Sequence, residues 1–150
     1  MFSSTDCRTE HRIQSCAPSL PAVKTAVLIT YESLEGHTLL LKTAPAGCGA
    51  LAEFSGLVRP QEDGRTISAL VYEAYLPMAE QQIENILRDL ASECSCEEAR
   101  VIHRIGTVPV GCAAIIVQVA AKHRAEAFTL LGRFMDRLKQ DVPIWKTRAI

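Results

Sequence analysis

The chain has 150 residues, the length of one ordinary domain and enough to close a single hydrophobic core. Its formal net charge of −1 supplies no basic field for wrapping nucleic acid, so an anion site must be made locally by cations that folding brings together. No apolar run reaches bilayer-spanning length, and Met1 to Pro21 mixes Asp6, Arg8, Glu10 and Arg12 without a signal-peptide core, which predicts a soluble cytoplasmic protein with no membrane segment.

Residues 1–22 are polar, contain Pro18 and Pro21 and follow neither the helical nor the strand period, so they are expected to form a flexible N-terminal extension ahead of one domain at residues 23–150. Ala26 to Tyr31 is apolar and β-branched, and Glu35-Gly36 followed by His37 to Lys42 predicts a turn into a second short strand, hence a hairpin. Ala50 to Val58 and Ile67 to Tyr75 are again strand-like. The Asp63-Gly64 pair between them predicts that they pair antiparallel.

From Pro77 the period changes, and Ala79, Ile83, Ile86, Leu87 and Leu90 make one apolar helical face. Ala99 to Val108 and Cys112 to Ala121 predict two further strands around a turn at Pro109-Val110-Gly111. From about His123 a second helix places Ala127, Phe128, Leu131, Phe134, Met135 and Leu138 on one face and stops before Pro143. Strands in adjacent pairs interrupted by two helices predict an α+β domain and not a doubly wound parallel sheet.

Six cysteines, Cys7, Cys16, Cys48, Cys94, Cys96 and Cys112, never take the Cys-x-x-Cys spacing of a zinc knuckle, and they read as reduced thiols with no metal role. Cys48 and Cys112, beside glycines in apolar segments, are expected to be small core residues.

The residues that carry chemistry are mostly cations. His123-Arg124 stands where the second helix begins, and cations at that positive helix end are unfavourable unless an anion sits among them; the alternative is that both point into solvent. Lys139, at the other end, suits the helix dipole without any catalytic role. Lys146 follows Pro143-Ile144-Trp145, a segment held extended by proline and expected to be anchored by the only tryptophan. Arg59 ends the run Phe54-Ser55-Gly56-Leu57-Val58 and reads either as a phosphate ligand or as a solvated strand tip. His103-Arg104 lies in a strand whose alternation sends the two side chains to opposite faces, and Glu73 reads as a base or as an inward-pointing partner for an arginine. The sequence contains no serine-nucleophile elbow and no phosphate-loop lysine motif.

Taken together, these segments resemble a known family. Gly49-Ala50-Leu51-Ala52-Glu53-Phe54-Ser55-Gly56-Leu57-Val58-Arg59 resembles the Gly-Ala-hydrophobic-x-x-Phe-x-Gly-x-Val-Arg segment of molybdopterin synthase large, catalytic subunits. Leu70 to Tyr75 with Met78-Ala79-Glu80, then Val101 to Gly106, His123-Arg124, Asp136 to Lys139 and Pro143 to Lys146, continue the likeness in order from about Val23. Two departures stand out. Relatives commonly continue Trp-Lys-Lys-Glu where this chain has Trp145-Lys146-Thr147-Arg148, and they place a small polar residue where Ala121-Lys122 precedes the His-Arg pair.

The resemblance implies an α/β-hammerhead-type domain with antiparallel strands and two main helices, acting as a homodimer within a heterotetramer. It implies a small ubiquitin-like sulfur-carrier subunit with a C-terminal Gly-Gly thiocarboxylate as partner. The activity implied is sulfur transfer from that tail to cyclic pyranopterin monophosphate, forming the molybdopterin dithiolene with no cofactor. The family's pocket falls on Arg59, His123 and Arg124 for the substrate's phosphate and pterin oxygens, Phe54 as a wall, and Lys139 and Lys146 as catalytic residues. Both reactants are anions, so a cationic pocket offsets their repulsion. Two rival readings are a relative that binds the partner without transferring sulfur, against which both lysines argue, and a small phosphatase, for which the nucleophile is missing.

Overall fold

The computed structural model describes residues 22–150, and the expected extension at residues 1–22 lies outside them apart from Ala22. The elements in chain order are β1 (Lys24–Thr30), β2 (Ala50–Leu57), β3 (Gln61–Glu62), β4 (Arg65–Thr66), β5 (Ala69–Ala74), α1 (Met78–Cys94), β6 (Cys96–Arg104), β7 (Gly106–Pro109), β8 (Ala113–Ala121), α2 (Arg124–Asp141) and β9 (Ile144–Ala149). The α+β expectation with two main helices holds.

The main sheet has the order β1-β6-β8-β2, with β1 parallel to β6 and the other neighbours antiparallel. Every residue of β8 is buried, because the sheet is covered on both faces, and its unbroken apolar run follows from that. On one face lie α1 and α2. Ala79, Ile83, Ile86, Leu87 and Leu90 meet Ala127, Leu130 and Phe134 and pack on Val101, Val117 and Val119. The second helix's face is rotated from the expected one: Leu130 is buried, whereas Phe128 is 64% exposed. Phe128 satisfies helical spacing relative to Leu131 and Met135, but the stripe that faces the sheet is centred on Ala127, Leu130, Phe134 and Leu138.

The opposite face explains why the first expected hairpin does not form. Residues 31–49 contain no strand and cross the sheet, burying Leu34 against Ile102 and Ile116, with Leu39 and Leu40 beside them. Their backbone groups find side-chain partners in place of a ladder. Gln118 accepts from Leu41 N (2.7 Å) and donates to Leu41 O (3.2 Å), and Arg100 donates to Leu39 O. Gln118 also donates to Glu53 Oε2 at 2.7 Å. Arg100, Gln118 and Glu53 stand side by side on β6, β8 and β2, so one polar row on the sheet holds the crossing segment down.

The expected pairing of the strands on either side of Asp63-Gly64 is also replaced. β2 joins the main sheet, whereas β5 lies in a second sheet of order β7-β5-β9. Asp63 and Gly64 still make a tight turn, both at positive φ (49° and 76°), but it closes only the two-residue strands β3 and β4. The run Ala99 to Val108 is likewise split. Gly106 (φ 76°) turns the chain out of β6 and into β7, which pairs with β5. β9, for which the sequence predicted only an extended segment, adds to the other edge of β5. Trp145 does not anchor it: the indole is 53% exposed, and β9 is held by its backbone ladder. Cys48 and Cys112 are only half-buried, whereas among the described residues Cys94 and Cys96 are the buried thiols, and burial pushes Cys96 up to about 12.

Candidate functional site

The expected site residues fall into two groups at opposite ends of the fold. The first surrounds the start of α2. His123 is the N-cap in extended conformation, and among the described residues no side chain caps the helix, so first-turn N–H groups face outward beside Arg124. Gly49 closes this corner. Its N–H points to Ala121 O and Lys122 O, both at 3.1 Å, and a Cβ there would stand 2.6 Å from Lys122 O. Glycine is therefore required for the close approach. Gly49, Lys122, His123, Arg124 and Ala125 line a cavity of about 500 Å³. Three cationic or protonatable side chains and a positive helix end make it suited to an anion. Gly49 and Lys122 were not foreseen as lining residues, since only the backbone crossing at Gly49–Lys122 places them together.

The second group lies where β2, β6 and α2 end. Lys146, on β9, sits across from Tyr72 of β5 and donates to Glu62 Oε1 at 2.6 Å. That hydrogen bond, with the charges of Lys146 and Arg59, holds the Glu62 carboxyl below the usual carboxylate range. Arg59 stands just beyond β2, exposed. Burial pushes the Tyr72 phenol up, against the pull of Lys146. The Tyr72 ring meets His103 edge-on with centroids 5.6 Å apart. His103 is buried, which pushes its pKa down to about 4, and its Nδ1 lies 2.9 Å from Arg104 O, so it is a neutral ring donating to the backbone. Lys139 is exposed in the last turn of α2. Phe54 is half-buried in β2, and the absent side chain of Gly56 makes room for its ring, 3.3 Å from where a Cβ would be. Glu73, by contrast, is exposed opposite Trp145, and among the described residues no arginine pairs with it as an inward partner.

One copy of the chain does not bring all six residues together. β2 and its flanks separate Gly49 from Arg59 by on the order of 30 Å of extended chain. The axis of α2 separates Arg124 from Lys139 by about 22 Å. His123 and Arg124 form one half, and Arg59, Lys139 and Lys146 belong to the other end.

The family model described as "MoaE protein" matches residues 29–141. The chain belongs to the MoaE protein family. Among curated MoaE relatives, a molybdopterin synthase catalytic subunit of Thermoplasma volcanium is 35% identical over 83% of this chain and 90% of its own length. The catalytic subunit of Homo sapiens is 41% identical over 66% of this chain and 53% of its own length. The chain thus spans about half the length of several curated relatives it matches. A solved molybdopterin synthase structure from Staphylococcus aureus is similar at a TM-score of 0.68 and 25% identity, over 88% of this chain and 93% of the other. The α/β-hammerhead-type fold implied by the sequence is the fold of this MoaE family member.

Proposed function

We propose that this chain is the catalytic subunit of a molybdopterin synthase, a sulfurtransferase of the cytoplasm. It takes sulfur from the thiocarboxylated Gly-Gly tail of a small ubiquitin-like subunit and places it on cyclic pyranopterin monophosphate to form the dithiolene. The observation that carries this reading is the division of the cations into two half-sites, each too sparse to hold both reactants. A homodimer related by a two-fold axis supplies the missing half: His123 and Arg124 of one copy face Arg59, Lys139 and Lys146 of the other. One small subunit on each copy then makes the heterotetramer. Membership of the MoaE family and the names of its relatives support the same reading.

In this arrangement the pocket of Gly49, Lys122, His123 and Arg124 holds the cyclic phosphate, since its backbone N–H groups and guanidinium match phosphate oxygens. Arg59 adds a further contact, and Phe54 walls the pterin. Lys146 meets the incoming thiocarboxylate, and Lys139, on the end of a packed helix, handles the proton as the phosphate ring opens and sulfur is transferred. The charges count correctly, because two anions that repel in water are held against a surplus of cations.

The test mixes the purified protein with a thiocarboxylated partner and the pterin substrate. Dithiolene product is expected, together with a dimer in solution. A chain that binds the partner yet forms no product is a binding module and not the synthase.

A further inference from the structure

Arg59 lies across the corner from Lys146, near enough that both act on the Glu62 carboxylate, so the ammonium stands beside a like charge on an exposed edge strand. Its four-carbon stem has no covalent reason to hold one direction. The carboxylate that does hold it comes from 84 residues away, at Glu62. Glu62 is fixed in turn by a turn with little freedom: Asp63 and Gly64 both sit at positive φ, and Glu62 pairs with Arg65 across two-residue strands. The Glu62 side chain is only 20% exposed, whereas that of Lys146 is 50% exposed, so the carboxylate is the fixed member and the lysine the guided one.

We propose that Glu62 is a positioning residue for Lys146, orienting its ammonium toward the anion that enters between Arg59 and Tyr72. This rests on the reading of Lys146 as the group that meets the thiocarboxylate. Glu62 touches neither reactant and acts through the lysine. An ordinary exposed ion pair contributes little, but here the consequence is direction and not stability. The carboxylate also offsets one of the two positive charges that Arg59 and Lys146 bring together there.

A double-substitution cycle on the assembled synthase tests this. Glu62→Ala is expected to lower kcat on the order of tenfold with the KM for the pterin and the affinity for the partner nearly unchanged. Glu62→Gln, which keeps an acceptor oxygen at the same reach, is expected to fall between Glu62→Ala and the unsubstituted protein. In a Lys146→Ala background, Glu62→Ala is expected to add nothing further. Losses that multiply, or a Glu62→Ala protein with an unreduced kcat, overturn the proposal while leaving the functional reading intact. A second measurement needs no turnover. The Glu62 carboxyl, followed by carbon-detected NMR titration, is expected to move up toward the ordinary carboxylate range in Lys146→Ala. An unmoved titration means the pair does not form in solution, which overturns the proposal even if the protein proves not to be a synthase.

Discussion

The two ends of the molecule carry charge in different ways. At the start of α2, cations and helix N–H groups surround an open cavity, and Gly49 brings backbone to backbone so that the corner closes without a side chain. At the other end Lys146 is paired, Tyr72 is half-buried beside it, and the neutral His103 packs underneath. The open end gathers positive charge around accessible space. The packed end has fixed geometry. In the proposed dimer, binding would draw on the first end and chemistry on the second.

The contrast is broken most severely at Lys139. Lys139→Ala is expected to abolish detectable dithiolene formation, a loss of about 10²- to 10⁴-fold, while the partner still assembles. Lys146→Ala should leave a slow, measurable rate. Size-exclusion chromatography with the partner followed by a single-turnover assay checks both, and the reverse order of damage would reassign the two lysines.

Arg124→Ala probes the open end. It is expected to weaken the pterin substrate by about tenfold to a hundredfold through loss of charge-assisted hydrogen bonds, with partner affinity unchanged. Separate titrations of substrate and partner measure this. Equal loss of both would move the phosphate elsewhere.

His103 gives the smallest effect and belongs to the packed end. Its folded pKa, about 4, lies below the ordinary 6.5, so the unfolded chain takes up the proton first as pH falls. The contribution is complete above the unfolded value and is lost on acidification toward the folded one. Unfolding free energy is therefore expected to drop by about 1 kcal/mol between roughly pH 7 and pH 5.5 from this residue alone. Urea unfolding of the wild type and of His103→Gln at both pH values isolates it, since the variant should show a smaller drop.

Local context left Arg59, His123, Arg124, Lys139 and Lys146 open to ordinary surface readings, since strand ends, helix ends and a proline-held segment carry cations for many reasons. Only the resemblance to the family singled them out as candidates. Glu62 left no comparable mark. A glutamate in a polar turn looks like any solvated residue, and its partner is 84 positions away. The two helices were legible because an apolar face at helical spacing is a local signal. Their exact rotation was not, and Phe128 shows why: several stripes fit the spacing, and only the sheet beneath selects among them.

The sequence by itself determined the two helices, most of the strands and the family, but not that residues 37–42 form no strand or that residues 144–149 do. Tertiary structure decided which strands pair, because β propensity says that a segment is extended but not which neighbour completes its hydrogen bonds. Residues 37–42 lost their ladder to the side chains of Arg100 and Gln118, and β5 left β2 for β7 and β9. The same choice of partners set β2 and α2 lengthwise across the domain, and so placed His123 and Arg124 at one end and Lys139 and Lys146 at the other.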